Sequence, residues 1–259
     1  MSEALQQAAG ERLRRALAAL TRTPLTGALA GMVVTAVVQS SSATTVMVIG
    51  FVSAGLLELP QAVAVIFGAN IGTTVTAQLL AFRVEEMLGL VLFGGFFLCA
   101  VARTKRGRQM GTAVFSFGLL FAGMEQIQSV VEPLALRPEF EAWMAQVREK
   151  PLWGLLLGLG MTLVVQSSSA TIGVLQGVAR QAGPDGVHSL LGLAGAVPVL
   201  LGDNVGTTIT AILAAAGGTR DAKRAAAAHC CFNLSGSLVC LLALPLFLRL
   251  LELLPPEGE

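Results

Sequence analysis

The octet VVQSSSAT occurs twice, from Val37 to Thr44 and from Val164 to Thr171, and each copy interrupts some of the most apolar sequence in the chain. The match extends outward: TAVVQSSSATT from Thr35 aligns with TLVVQSSSATI from Thr162, 127 residues on. Further along, GANIGTTVTA from Gly68 aligns with GDNVGTTITA from Gly202, 134 residues on. Two motifs recurring in the same order mean duplication of one unit. The offsets differ by seven residues, which places an insertion around Gln181 to His188 in the second copy.

Composition sets the solvent. Of 259 residues, 54% are hydrophobic and 13% charged, and the mean hydropathy is +0.73, outside the range of soluble globular domains. The chain therefore reads as a multi-pass membrane protein, and the expected location is the cell's inner (plasma) membrane. A net charge of +1 leaves no basic footprint for nucleic acid and no acidic tail. Cys99, Cys230, Cys231 and Cys240 lie in apolar runs and read as small buried hydrophobes, not bridges. Residues 1–23 are basic at Arg12, Arg14, Arg15 and Arg22 but lack the apolar core of a signal peptide, so they read as an interfacial amphipathic helix.

A helix needs about 20 residues to cross about 30 Å of hydrocarbon. Pro24–Val38 and Ala43–Leu57 offer only 15 each, which predicts two short helices meeting at the QSSS tip, a re-entrant hairpin. Trp153–Ala182 repeats it. Pro60–Phe82 and Leu190–Gly217 are long enough for one crossing but carry GANIG and GDNVG, which predicts two half-helices in each. Met87–Val101, Met110–Val131 and Ala226–Leu250 read as ordinary spans. Non-helical backbone at membrane depth is tolerated only where it is buried in protein or lines a cavity, so the breaks predict a cavity.

The expected fold is an all-α membrane protein of inverted-topology repeats, each with a re-entrant hairpin and a broken transmembrane helix. Its parts are 1–23, an amphipathic helix; 24–109, the first transport repeat; 110–152, a linking span and outer loop; 153–225, the second repeat; and 226–259, a last helix and tail. An odd number of crossings turns the second copy over. Charge placement agrees with the positive-inside rule. Arg103, Lys105, Arg106 and Arg108 fall on the side of Arg220, Lys223 and Arg224, opposite Arg83, Glu85, Glu86 and the mixed loop Glu132–Lys150. Two full spans in place of each hairpin satisfy the same charges.

An unpaired amide or hydroxyl in hydrocarbon costs several kcal/mol, so the polar side chains of both motifs need partners. Half-helix N-termini favour anions and C-terminal carbonyls favour cations. Hydroxyls donate to an oxyanion, while hydroxyl, amide and carbonyl oxygens suit Na⁺. Two inverted tips meeting near the midplane would offer both sets to a small oxyanion and its sodium ions. Helix packing through small residues competes as a reading. It fits Gly154, Gly158 and Gly160, but packing does not call for the same Gln and Asn twice.

Asp203 reads either as a sodium ligand or proton carrier, or as a cap for the half-helix that follows. His229 beside Cys230 and Cys231 reads as a packing histidine, because consecutive cysteines on a helix face different ways. Glu125 faces either the interior or the outer interface.

The paired strings QSSSATT…GANIGTTVTA and QSSSATI…GDNVGTTITA resemble those of the sodium-dependent phosphate cotransporter family, the type II Na⁺/Pi cotransporters and their bacterial relatives. RAAAAHCCFNLSG, Arg224 to Gly236, is similar to the segment that follows the second repeat there, and the resemblance runs from about Leu13 to Leu250. It implies a transporter and not an enzyme, moving phosphate inward with Na⁺ as coupling ion by alternating access. It implies no cofactor and no further metal; the partners are phosphate, Na⁺, membrane lipid and a second copy in a homodimer. Implied phosphate positions are Gln39, Ser40, Ser41, Ser42, Asn70, Ser167, Ser168, Ser169 and Asn204. Implied sodium positions are Gln166, Ser167, Thr207 and Thr210, with Gln39, Thr73 and Thr76 as first-copy counterparts and Asp203 added.

Three departures bear on this. Gly55 stands where electrogenic animal members carry an aspartate, which removes the acid of their extra sodium site. Asp203 replaces the usual Ala or Ser, whereas the first copy keeps Ala69. A cytoplasmic domain like the phosphate-uptake regulator, carried by many bacterial relatives, is not in these residues. Other readings are symport of another small oxyanion such as sulfate or a dicarboxylate, a passive anion channel, and an intramembrane serine hydrolase. The last needs a base beside one serine, and neither His188 nor His229 is repeated with the serines.

One asymmetry remains. The second hairpin follows a full span, Met110–Val131, but the first follows only Met1–Arg22, too polar to cross. A strict duplication would supply a counterpart. The expectation is a short form lacking one N-terminal span, with an apolar groove beside the first copy for a lipid, a detergent or a second chain.

Overall fold

Thr23 accepts from the Thr26 amide in a capping box, and Pro24 occupies the first turn where its missing N–H costs nothing, so helix α1 starts at once and runs Pro24–Val38. Gln39 then turns left-handed and Ser40 caps the next helix, α2, Ser41–Ser53. Gly55, at φ 71°, closes α2: its amide donates to Val52 and the Leu56 amide to Phe51, the two bonds of a Schellman motif. The second copy uses the same local chemistry. Pro151 opens α7, Pro151–Val165, Gln166 turns left-handed, and Ser167 accepts from the Ala170 amide at the start of α8, Ser168–Ala179. With 12 to 15 residues each, these four helices are about 18 to 22 Å long, too short to cross a bilayer.

This computed structural model describes residues 17–81, 87–135, 137–183 and 188–252. The remaining helices are α3 Leu59–Ala81, α4 Leu88–Val101, α5 Lys105–Ala135, α6 Pro138–Glu149, α9 Gly192–Gly206, α10 Thr208–Ala215, α11 Arg220–Leu242 and α12 Leu244–Glu252. Four stretches are long and apolar enough to cross a membrane: Leu59–Leu79, Lys105–Val131, Gly192–Ala215 and Arg220–Leu242. Arg12, Arg14 and Arg15 of the expected amphipathic helix, and Arg83, Glu85 and Glu86, lie outside the described residues.

Two compact units emerge. One comprises the described residues of Met1–Ala77, Val147–Thr171 and Leu193–Glu259; the other those of Gln78–Gln146 and Ile172–Gly192. The first holds both copies of both motifs. Its apolar core is built from Val48, Ile49 and Val52 of α2, Ala62, Val65 and Ile66 of α3, and alanines of α10 and α11 such as Ala211 and Ala225. In the second unit α4 and α5 pack closely, with Gly95 against the Phe115 backbone and Gly111 against Cys99. At the described residues beside the insertion, Gly183 donates to the His188 carbonyl and Leu190 to that of Gln181.

Inside the first unit the two copies pack alike. A Cβ on Gly31 would lie 1.9 Å from the Val65 carbonyl oxygen, and one on Gly158 1.9 Å from that of Val199. One on Gly68 would lie 1.8 Å from the Ala28 oxygen, and one on Gly202 1.9 Å from that of Leu155. Backbone therefore touches backbone between α1 and α3 and, at equivalent positions, between α7 and α9.

Several expectations are corrected. The first-copy crossing is not two half-helices: α3 runs unbroken through GANIG. Its glycines serve the contact with α1. The polar side chains bond without opening the helix, Thr73 to the Ala69 carbonyl and Thr74 to that of Ile71. In the second copy the break is a single residue, Thr207, at φ −60° and ψ −23°. The mixed loop is mostly helical: α5 runs on to Ala135 and α6 follows, with Glu139 and Glu141 in its first turn and Arg148 in its last, matched to the helix dipole. All four cysteines are free, but Cys231 is exposed and the others half-buried, so they are not core residues. Gly154 packs on Pro198 and Gly158 on Val199, but Gly160 meets nothing. The apolar face expected beside the first copy exists as Leu25, Leu29, Val33 and Val37, yet Leu152, Leu156 and Val164 expose the corresponding face of the second.

Gly158→Ala should destabilise the protein by about 3 kcal/mol, because backbone on both sides leaves the methyl nowhere to go. Gly160→Ala, two residues away, should leave stability unchanged or raise it by about 1 kcal/mol. Thermal unfolding in detergent checks both; equal losses would contradict the packing.

Candidate functional site

Both QSSS tips line one pocket. Its walls are Gln39, Ser40, Ser41 and Ser42 from the α1–α2 turn, Gln166, Ser167, Ser168 and Ser169 from the α7–α8 turn, and Thr73 and Thr76 from α3. The volume is about 240 Å³, equivalent to about eight waters at about 30 Å³ each and below the span of about 300–1,000 Å³ typical of drug-sized ligands. Every lining side chain is a neutral amide or hydroxyl.

Local chemistry decides what these groups offer. Ser40 Oγ accepts from the Ala43 amide at 3.1 Å and Ser167 Oγ from the Ala170 amide at 3.3 Å. Each hydroxyl then keeps its own hydrogen to donate. The amides of Ser41 and Ser42, and of Ser168 and Ser169, belong to the first turns of α2 and α8, where a helix supplies no acceptor. Two helix N-termini thus point partial positive charge at the pocket.

Gln39 and Gln166 adopt φ 59° and 56°, the described non-glycine residues with positive φ. The left-handed region costs an L-residue roughly 1–2 kcal/mol. A helix C-terminus accepts glycine there without penalty, so glutamine at both equivalent positions points to a need for the side chain. Backbone bonds hold the strained turns: Gln39 N–H donates to the Thr35 carbonyl at 2.7 Å and Gln166 N–H to that of Thr162 at 2.8 Å. Gln39 Nε2 also donates to the Ala36 carbonyl.

Behind each tip sits a threonine pair. Thr35 and Thr44 join at 3.0 Å, as do Thr162 and Thr171, all four buried. In the second copy Thr162 also donates to the carboxylate of Asp203, which is 2% exposed. Asp203 therefore ties α9 to α7, and it does not cap α10, whose N-cap is Thr207 with no side-chain cap bond.

The remaining implied residues lie outside the pocket. Asn70 gives its amide to Asn233, and Asn204 is exposed with its carbonyl accepting from Asn233. Thr207 and Thr210 bond back to the carbonyls of Asn204 and Thr207. His229 is 3% exposed and sits with Asn70 and Asn233; no group of three or more His, Cys, Asp or Glu that could hold a metal occurs among the described residues. Asn233 escapes a reading based on repeats because it has no twin. The available signal was helical spacing: His229 and Asn233 are four apart on one face of an apolar span.

The chain is nearly all helical, has four stretches long and apolar enough to cross a membrane, as a membrane protein does, and carries a small neutral polar pocket built from a duplicated motif. Residues 1–129 and 130–252 each match the family model described as Na+/Pi-cotransporter. The chain belongs to that family. It is 32% identical to "Uncharacterized protein YqeW" of Bacillus subtilis over 95% of this chain and 78% of that one. It is 29% identical to "Putative inorganic phosphate export protein YjbB" of Escherichia coli over 90% of this chain, which spans 41% of that protein's length. Over 63 residues, 24% of this chain and 10% of the other, it is 46% identical to "Sodium-dependent phosphate transport protein 2A" of Ovis aries. No solved structure matches.

Replacing Gln166 by Gly should leave the melting temperature equal to or above that of the unsubstituted protein, since about 1 kcal/mol of left-handed strain is relieved. Any stabilisation by added phosphate and sodium should vanish. A melting temperature several degrees lower would show that the glutamine is structural.

Proposed function

We propose that the protein is a sodium-coupled phosphate symporter of the plasma membrane, working by alternating access between two inverted repeats. The observation that carries this reading is the neutrality of the pocket. An oxyanion entering it loses hydration, which costs several kcal/mol, and meets no fixed cation to offset the loss. Sodium alone meets no charge in the lining, only the Asp203 carboxylate behind it. Bound together, each supplies the other's countercharge, so each raises the other's affinity, and that mutual dependence is the thermodynamic content of coupling.

The two helix N-termini and the serine hydroxyls suit phosphate oxygens, so we assign phosphate to the tips Gln39–Ser42 and Gln166–Ser169. The amide and hydroxyl oxygens of Gln39, Gln166, Thr73 and Thr76 suit Na⁺. Asp203, which reaches the tip through Thr162, would tune sodium affinity from behind. Asn70, Asn204, Thr207 and Thr210, outside the pocket in this conformation, would act through the helices they hold. Gly55 offers no carboxylate for a further sodium.

Export is a second reading, favoured by the printed name of the Escherichia coli relative. The cycle of a secondary transporter runs with the net gradient, so direction is a matter of conditions as well as of protein. Radiolabelled phosphate flux in proteoliposomes, with the sodium gradient set inward or outward and potassium as control, tests both. Flux that follows the sodium gradient supports symport; equal flux in potassium would indicate a passive channel, and stronger competition by sulfate or a dicarboxylate another substrate.

Ser168→Ala should raise half-saturating phosphate about tenfold, the effect of one charge-assisted hydrogen bond. Asp203→Asn, which keeps an acceptor for Thr162 but no charge, should raise half-saturating sodium much more than half-saturating phosphate measured at high sodium. Superimposable sodium curves would assign Asp203 to packing.

A further inference from the structure

The buried face of α11 carries a polar cluster in contact with both copies of the second motif. Asn70 Nδ2 donates to Asn233 Oδ1 at 2.9 Å, and Asn233 Nδ2 donates to the Asn204 carbonyl at 2.8 Å. His229 Nε2 lies 3.0 Å from Asn233 Nδ2 and 3.3 Å from Asn70 Oδ1. We assign His229 the tautomer with Nε2 unprotonated, in which it accepts from Asn233 and makes no bond to the Asn70 oxygen; every polar atom of the Asn233 side chain is then used: its oxygen accepts from α3, one N–H donates to α9, and the other N–H donates to the histidine that orients it.

What Asn233 holds is the broken carbonyl. In an unbroken helix the Asn204 carbonyl would accept from the Thr208 amide. Here α9 ends at Gly206 and α10 begins at Thr208, and that carbonyl accepts instead from Asn233 Nδ2 and, at 2.7 Å, from Thr207 Oγ1. In the first copy Asn70 meets Asn233 through its side chain, so its own carbonyl stays with α3, which is continuous. The copies share GxNxGTT and differ in which part of the asparagine α11 engages.

We propose that Asn233, oriented by His229, is a positioning residue of the transport cycle: it holds the α9–α10 break open and fixes it in register with α3, whose Thr73 and Thr76 line the pocket. This rests on the transport reading above. Neither Asn233 nor His229 lines the pocket, so their loss should slow the cycle without removing a contact to phosphate or sodium.

Two variants and two measurements test it. Asn233→Leu removes both donors at similar volume, and the isosteric Asn233→Asp does so without changing shape if the leucine fails to fold. In sodium-driven phosphate uptake, maximal rate should fall about tenfold, the equivalent of one buried hydrogen bond, with half-saturating phosphate and sodium moved by less than about twofold. In hydrogen exchange of the full chain in detergent, the amides of Thr208–Thr210 should slow about tenfold in Asn233→Leu as the helix closes, while those of α1 keep their rates. Unchanged maximal uptake, or a rise in half-saturating phosphate at constant maximal rate, overturns the proposal. If the unsubstituted protein moves no phosphate, the transport reading fails and the exchange result alone decides; unchanged or faster exchange at Thr208–Thr210 then overturns it.

Discussion

Four glycines let backbone touch backbone, and the site depends on that contact. Gly31 and Gly68 bring α1 against α3, Gly158 and Gly202 bring α7 against α9, and in each case a single methyl would collide with a carbonyl oxygen. In hydrocarbon there is little hydrophobic drive between helices, so close approach and van der Waals contact must do the holding. Once the short helices are pinned this way, their ends have defined places. The Gln-Ser turns at those ends meet across one pocket, and α3, fixed by the same contact, presents Thr73 and Thr76 to it.

The copies agree in packing and differ in polarity. Thr35–Thr44 and Thr162–Thr171 are equivalent pairs, but only the second is joined by a carboxylate, because Asp203 stands where the first copy has Ala69. The GTT strings diverge as well: both Thr73 and Thr207 donate to a carbonyl of their own chain, but Thr73 does so on an unbroken helix and lines the pocket, while Thr207 sits at a break outside it. Duplicated sequence has therefore reached two local conformations. Asn233, outside the duplication, meets the two copies differently: its side-chain oxygen accepts from Asn70 of the first and its side-chain amide donates to the Asn204 carbonyl of the second.

That division explains what could be read in advance. Apolar runs interrupted by a polar turn are local features, so the lengths flanking QSSS placed the ends of α1 and α2 to within a few residues. The convergence of two QSSS tips followed from the cost of unpaired polar groups in an apolar setting. The unbroken course of α3 was hidden, because glycine around an asparagine reads equally as a break or as a close helix contact, and only a neighbour's position separates them. The left-handed glutamines were hidden too: no rule favours that residue there, and its strain is visible only as an angle. The cluster on α11 joins residues 159 and 163 positions apart, a separation that motif spacing does not encode.

A neutral pocket in the family of Na+/Pi-cotransporters calls for a physical account, since fixed arginines bind phosphate well. A permanent cation would lower the cost of the loaded state, but it would remain when the anion left, and an empty site would then carry a buried, unpaired charge through the membrane. Hydroxyls, amides and helix N-termini avoid that penalty: empty, they are satisfied by water and by one another, as Ser40 and Ser167 are by the amides they cap. Under the symport reading the charge needed for binding arrives with sodium and departs with it. Among the pocket-lining groups the empty and fully loaded states are then both close to electrically balanced and the half-loaded ones are not, with the Asp203 carboxylate a constant behind the second tip. A protein built this way makes the uncoupled crossings the expensive ones, and it needs no residue of its own to change charge in order to do so.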